Sequence, residues 1–107
     1  GEGDIGQHFP PGDAETRGVD SRVLLTRIVR LVAARGFRVH NIDSTVIAEQ
    51  PKLAPHILAM RDSIAHTVGI EPSLVNVKAT TNEGLGDIGE GRAIAATAVI
   101  LLDEQPT

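Results

Sequence analysis

Residues 80–83, Thr-Thr-Asn-Glu, place two hydroxyls, an amide and a carboxylate in succession, and Gly84 and Gly86 follow them. Glycine lets the backbone turn tightly and approach a ligand closely. Hydroxyls and free backbone amides suit phosphate oxygens, whereas a carboxylate suits a hard divalent cation. The stretch therefore fits a phosphate held together with a divalent cation. The alternative is a strand that ends in a polar turn without any ligand.

The segment before this polar stretch has the period of a half-buried β-strand. Val75, Val77 and Ala79 alternate with polar residues up to Thr80. A period of two puts the apolar side chains on one face and the polar ones on the other. We therefore predict a strand that delivers the hydroxyls and the carboxylate to its own end.

A second stretch, residues 48–52 (Ala-Glu-Gln-Pro-Lys), ends another predicted strand that begins at Phe37. Pro51 restricts the backbone, and Lys52 then stands near the start of a helix. Free amide donors and the positive end of the helix dipole favour anions at such a place, so Lys52 is a candidate phosphate ligand. A proline stop with an exposed lysine explains the same residues equally well.

The remaining apolar patterns predict the elements that position these stretches. The predicted helices are 20–35 and 55–68, the predicted strands are 37–48, 75–80 and 94–102, and residues 1–18 are predicted to be loop. We expect the last strand, an unbroken apolar run, to be covered on both faces. The pattern predicts a single α+β domain over residues 1–107, a two-layer sandwich whose mixed sheet is covered on one face by two helices. Three strands are few, so we expect that subunits associate or that a segment is absent.

Composition excludes several classes of function. The net charge of −4 without a basic cluster argues against nucleic acid as a partner. The absence of cysteine rules out disulfides and thiolate chemistry. Because there is neither an apolar run of about 20 residues nor a signal-peptide pattern, we expect a cytoplasmic protein with no membrane partner.

Other catalytic motifs have little support. The four histidines, His8, His40, His56 and His66, lack paired metal-ligand spacing. Neither a Gly-x-Ser-x-Gly elbow nor a GxxxxGK[ST] phosphate loop is present.

Three stretches, in order along the chain, resemble the 2-C-methyl-D-erythritol 2,4-cyclodiphosphate synthase family of the non-mevalonate isoprenoid pathway. They are Gly3-Asp4-Ile5-Gly6 with Phe9-Pro10, then Ala48 to Lys52, and then Val75 to Thr81 with Glu83 and Leu85-Gly86. The resemblance implies a lyase that converts 4-diphosphocytidyl-2-C-methyl-D-erythritol 2-phosphate to the 2,4-cyclodiphosphate and releases CMP. It also implies a homotrimer with sites between subunits, a zinc ion, and a second divalent cation, magnesium or manganese.

By the same resemblance, Thr81 is the catalytic residue that stabilises the transition state at phosphorus, and Glu83 is the ligand of magnesium or manganese. The cytidine side of the substrate is assigned to Thr80 and to Ala48, Glu49, Gln50, Pro51 and Lys52, and substrate binding also to Leu53. The methylerythritol side is assigned to Asp4, Ile5, Gly6 and Phe9, and substrate binding also to Pro10 and Asp13.

The chain departs from the family pattern in two places. Family members bind zinc through an N-terminal stretch that this sequence does not contain, so we expect the 107 residues alone to lack the zinc ligands and to be inactive. Glu90 stands where many members have an arginine, and we expect Arg92 to supply the diphosphate contact instead. The alternatives to the enzyme are a non-enzymatic α+β nucleotide-binding or assembly module and a purely structural interaction domain.

Overall fold

The computed structural model describes residues 3–8 and 20–106. Their elements are α1 (Ile5–His8), α2 (Ser21–Ala34), β1 (Phe37–Ile47), α3 (Ile57–Val68), β2 (Val75–Thr80), α4 (Gly86–Gly89) and β3 (Ala95–Glu104), with 3₁₀ turns at Ala54–His56 and Pro72–Leu74. The predicted order of helix, strand, helix, strand, strand is confirmed. The single helical turns α1 and α4 correct the prediction, because both lie in segments that were expected to be loop.

The side chain of Asp20 caps the start of α2, and a glycine follows the end of each long helix. Asp20 caps α2, since its carboxylate accepts the backbone N–H of Arg22 at 2.8 Å. The bonds from the guanidinium and the backbone N–H of Arg22 lower the pKa of Asp20 to about 2. At the other ends, Gly36 and Gly69 both have a left-handed φ of 86°. The caps predicted from sequence are therefore confirmed.

The three strands form one mixed sheet in the order β2-β1-β3. β1 pairs with β2 in parallel, with Ile42 opposite Val75, and with β3 in antiparallel, with Ile42 opposite Ile100. Both long helices pack on the sheet and on each other. The predicted α+β architecture, a mixed sheet with two long helices on one face, is thus observed.

The core lies between α3 and the paired strands β1 and β2. Ile42, Ala65, Val75 and Val77 are buried together, and Ala65 is only 1% exposed. The apolar stripe predicted for α3, Ile57, Met60, Ile64 and Val68, packs against this cluster. Full burial of one valine or isoleucine side chain contributes roughly 1.5–3 kcal/mol, so this small cluster is the main source of local stability.

β3 contradicts the prediction that the last strand is covered on both faces. Ile100 and Leu102 share the face of Ile42 and Val39, yet both are exposed. Val99 and Leu101 lie on the opposite face and are exposed as well. The prediction was wrong for the described chain because an unbroken apolar run shows no period that would tell which faces have neighbours.

The described helices include none that is long and apolar enough to cross a membrane.

Candidate functional site

Parallel pairing brings the ends of β1 and β2 to the same edge of the sheet. β1 ends at Ile47 and β2 ends at Thr80, and these two residues are partners in the register. The pairing continues one step further, because the N–H of Ala48 donates to the carbonyl of Thr80 at 3.0 Å. The two polar stretches are far apart in sequence, and the parallel pairing makes them neighbours.

A cleft of about 440 Å³ opens at this edge. Its lining consists of Ala48, Glu49, Gln50, Lys52, Leu53, Ala54, Ala79, Thr80 and Thr81. Small-molecule sites typically occupy 300–1,000 Å³ and combine apolar walls with a few polar groups. Of the residues assigned to the cytidine side, all but Pro51 line the cleft, and Pro51 lies in the same turn, after a cis peptide bond from Gln50. Ala54 and Ala79 were not predicted, because small apolar side chains carry no chemical signal.

Hydrogen bonds within the loop after β2 orient its polar groups. The hydroxyl oxygen of Thr81 accepts the N–H of Glu83 at 3.2 Å. The side-chain amide of Asn82 donates to the carbonyl of Leu85 at 2.8 Å, and the N–H of Leu85 donates to the carbonyl of Asn82 at 3.0 Å. Because the Thr81 oxygen is used as an acceptor, its own hydrogen stays available to a ligand oxygen at the cleft.

Glu83 has an unusual backbone conformation at the tip of this loop. Its φ of 52° is in the left-handed region, and it is the one positive-φ residue other than glycine among the described residues. A non-glycine residue in that region costs of order 1–3 kcal/mol and persists only where its surroundings hold it. The carboxylate of Glu83 is exposed, so it is accessible to a cation from solvent.

Metal-binding side chains do not converge elsewhere in the described part of the chain. No group of three or more His, Asp or Glu residues there is arranged to hold a metal ion. Glu83 thus offers a single carboxylate. This suits a cation that is also bound by a phosphate, because Mg²⁺ is commonly held by one or two carboxylates together with substrate phosphates.

Arg92 is engaged within its own loop. Its guanidinium lies 2.5 Å from Asp87 and 2.5 Å from Glu90, and its N–H donates to the carbonyl of Asp87 at 2.8 Å. It does not line the cleft. The inverted order of Glu90 and Arg92 is therefore accompanied by an ion pair inside the loop, a contact that sequence reasoning did not anticipate.

The residues assigned to the methylerythritol side lie apart from the cleft or outside the described ranges. Asp4 and Ile5 are exposed, and Gly6 lies in the turn α1. The end of that turn, His8, lines a cavity with Arg27, Arg30 and Leu31 of α2. Phe9, Pro10 and Asp13 lie outside the described residues. Within one chain, the described members of this group do not line the cleft that Thr81 lines.

A larger cavity, of about 710 Å³, opens at the opposite end of the sheet, beside Phe37 and Leu74. Its lining combines aliphatic residues of both helices with polar groups such as His40, His66 and Asp103, and it includes none of the predicted site residues that the structure describes. We assign the site to the smaller cleft, because the hydroxyls, Lys52 and the left-handed Glu83 loop are found at that end.

Comparison with known proteins finds similarity over nearly the whole chain. The model of the YgbB family matches residues 1–103. A curated 2-C-methyl-D-erythritol 2,4-cyclodiphosphate synthase from Gloeobacter violaceus is 55% identical over 102 residues, which are 95% of this chain and 63% of that protein. The chain thus spans less than two-thirds of the length of this curated relative.

Solved structures agree with the sequence comparison. The bifunctional IspDF from Campylobacter jejuni superposes with a TM-score of 0.90 at 38% identity, covering 95% of this chain and 28% of that chain. The CDP complex of IspF from Plasmodium falciparum superposes with a TM-score of 0.81 at 32% identity, covering 96% of this chain and 61% of that chain. The chain belongs to the YgbB family, and its resemblance to 2-C-methyl-D-erythritol 2,4-cyclodiphosphate synthases is confirmed.

Proposed function

We propose that the intact protein is a lyase that converts 4-diphosphocytidyl-2-C-methyl-D-erythritol 2-phosphate to 2-C-methyl-D-erythritol 2,4-cyclodiphosphate and releases CMP, and that the 107 residues alone are inactive. The observation that carries the proposal is the cleft itself. It joins the stretch 48–53 to Thr80 and Thr81, and curated relatives that match nearly the whole chain are named as synthases of this product. Their names favour the enzyme over a nucleotide-binding module without activity.

The cleft is the proposed site of the cytidine end of the substrate. The Plasmodium falciparum relative is described as a CDP complex, and it covers nearly all of this chain. Ala48, Leu53, Ala54 and Ala79 supply apolar wall, which suits the flat face of a base. The diphosphate would then extend toward Thr81 and Glu83, where polar groups replace the apolar wall.

The reaction requires positioning and neutralisation of charge more than acid–base chemistry by the protein. An oxygen of the substrate's 2-phosphate forms a bond to the β-phosphorus, and the bond from that phosphorus to the oxygen bridging the two phosphates breaks, so that CMP leaves. The Thr81 hydroxyl donates a hydrogen bond to a phosphoryl oxygen as negative charge grows there. The ammonium group of Lys52, at the cleft rim, attracts the phosphates.

Glu83 is the proposed protein ligand of a magnesium or manganese ion. The ion would neutralise charge on the diphosphate when it is bound. Its carboxylate is exposed, and its loop is held by a hydrogen bond from the N–H of Glu83 to the hydroxyl oxygen of Thr81, which fits this role. The expected zinc ion has no matching set of donors among the described residues, which bring no three His, Asp or Glu side chains together. We therefore derive no step from zinc.

We propose that the protein assembles as a homotrimer and acts in the cytoplasm. β3 supports the assembly, because a strand with four exposed aliphatic side chains in succession, Val99 to Leu102, is typical of a surface that packs against another subunit. Association would also explain why the described methylerythritol-side residues do not line the cleft within one chain: they would face the Thr81 of a neighbouring subunit. The proposed soluble nucleotide substrate agrees with a cytoplasmic location.

Turnover of the authentic substrate, followed as CMP release, tests the proposal. We expect the Glu83→Gln variant to lose at least about 100-fold in kcat and to need more Mg²⁺ for half-maximal rate, because its ligand charge is removed. Thr81→Val keeps the shape of the side chain without the hydroxyl, and we expect a kcat loss of about 100-fold. Glu71→Gln, on an exposed carboxylate near the opposite end of the sheet, is the matched control and should turn over like the wild type. Unchanged turnover in Glu83→Gln would refute the metal assignment.

A further inference from the structure

Glu49 makes a contact that its assignment to the cytidine side does not explain. It directly follows the buried Ala48 and is itself half-buried at the edge of the cleft. One oxygen of its carboxylate, Oε1, accepts the N–H of Asn82 at 3.0 Å and the N–H of Gly84 at 2.9 Å. A single side chain from the end of β1 therefore holds the backbone of the loop that follows β2.

The two amides that Glu49 binds lie on either side of Glu83. Glu83 has a φ of 52°, and Gly84 follows with a φ of 75°. Two successive left-handed residues turn the backbone sharply, so the N–H groups around them cannot pair within a strand or helix. A charged acceptor that binds both amides stabilises this conformation more strongly than a neutral one, because charge-assisted hydrogen bonds are the stronger kind.

The contact also continues the pairing of the two strands. The N–H of Ala48 donates to the carbonyl of Thr80, and the next residue, Glu49, accepts from Asn82 and Gly84. Ala48 and Glu49, which follow β1, thus bind the end of β2 and the loop after it. The stretch that lines the cleft and the loop that carries Thr81 and Glu83 are thereby joined into one unit.

We propose that Glu49 is a positioning residue that anchors the 82–84 backbone and so aims the carboxylate of Glu83 and the hydroxyl of Thr81 at the phosphates. The anchor is a property of the fold, whereas its effect on turnover rests on the function proposed above. Because the Ala48–Thr80 bond does not depend on the Glu49 side chain, loss of the anchor disturbs the phosphate end of the site more than the cytidine end.

Amide hydrogen exchange, resolved by residue with NMR, measures the anchor directly. In Glu49→Ala we expect the amides of Asn82 and Gly84 to exchange at least about tenfold faster than in the wild type, while the core amide of Val77 is unchanged. Glu49→Gln keeps one acceptor oxygen without the charge, and we expect it to restore most of the protection. Glu71→Ala removes an exposed carboxylate that makes no capping hydrogen bond, and it should leave the exchange rates of the Asn82 and Gly84 amides unchanged.

The same variants are then assayed for CMP release with the intact protein. We expect Glu49→Ala to lower kcat about tenfold or more and to raise the Mg²⁺ concentration for half-maximal rate, with KM changed less than threefold. Glu49→Gln should recover most of the rate. A general loss of folding would change KM, kcat and the Val77 amide together.

The outcomes separate the anchor from the proposed reaction. Wild-type exchange rates for Asn82 and Gly84 in Glu49→Ala would overturn the proposal, whatever the turnover. Faster exchange at both amides with unchanged kcat and Mg²⁺ dependence in an active enzyme would also overturn it, because the anchor would not serve the reaction. If the wild type itself releases no CMP, the proposed function fails, and the exchange data alone then decide whether Glu49 anchors the loop.

Discussion

Strands β2 and β3 flank the same central strand and both carry aliphatic residues, but their environments differ. In β2, Val75 and Val77 are buried under α3, and Val77 is 6% exposed. In β3, Ile100 lies opposite Ile42 as Val75 does in β2, yet it is 45% exposed, and Val99 on the other face is 75% exposed. On the face away from the helices, β2 carries Asn76 and Lys78, which both contact Asp43 of β1.

The difference indicates that the aliphatic residues of the two strands serve different purposes. β2 is a core strand with a polar outer face, and its buried half gives the cleft a rigid edge from which Thr80 and Thr81 project. β3 has apolar side chains on both faces. Their exposure to water is unfavourable, and association with another subunit would bury them. Burial within the chain therefore positions the site, whereas the exposed strand supports the proposed assembly.

The largest effect is expected from charges placed on β3. A double change, Val99→Lys with Leu101→Lys, puts two ammonium groups on the face away from the helices, where a partner subunit could not compensate them. We expect the mass measured by sedimentation velocity to fall from three chains to one. Leu58→Lys, at a residue that is 65% exposed on α3, is the control and should leave the assembly intact. A double variant that sediments like the wild type would show that this face is not the interface.

A smaller effect is expected from the same truncation made in each of the two strands. Val77→Ala removes buried methyl groups and should lower the free energy of unfolding by about 2 kcal/mol. Val99→Ala should change it by less than about 0.5 kcal/mol, because the side chain is already in water. Urea unfolding followed by circular dichroism measures both, at a concentration where the chains are single. Equal losses in the free energy of unfolding would show that the two valines contribute equally to stability and would contradict the contrast between the strands.

The segment that connects β2 to β3 should tolerate a substitution at Gly91 better than one at Gly89. A Cβ added to Gly89 would collide with the carbonyl carbon of Gly84, whereas one added to Gly91 meets nothing within 4 Å. Gly89→Ala must therefore displace the loop, with an expected loss of stability of about 1 kcal/mol. The amide shift of Gly84 in an NMR spectrum should move in this variant. It should stay in place in Gly91→Ala, which adds only backbone strain.

The smallest effect concerns the cap of α2, the helix that covers β1. The pKa of Asp20 is lowered from 3.8 to about 2, so its ionised form stabilises the folded state fully above pH 3.8, and this contribution is lost as the pH falls toward 2. Asp20→Asn keeps a capping oxygen without the charge. We expect the wild type to melt slightly higher than Asp20→Asn at pH 6 and the difference to shrink at pH 2. A difference that stays constant between pH 6 and pH 2 would contradict the assigned pKa.

Sequence patterns predicted the regular elements well where one face of an element is buried. The alternation from Val75 to Thr80 matches β2, and the stripe from Ile57 to Val68 matches the apolar face of α3. The pattern did not succeed for β3, where an unbroken apolar run is compatible with burial on both faces or on neither. It also missed the single turns α1 and α4, because a helix of four residues is too short to show a period.

The sequence by itself determined which residues could bind a phosphate and a cation, because hydroxyls, a carboxylate and glycines in a short run are a local property. It also determined where the strand that carries them ends. Only the tertiary structure decided that the stretch after β1 faces Thr80 and Thr81, since parallel pairing joins residues that are more than thirty positions apart. The same holds for Glu49, whose carboxylate binds the amides of Asn82 and Gly84. A hydrogen bond between distant segments leaves no periodic signal, so that contact becomes visible only once both strands lie in one sheet.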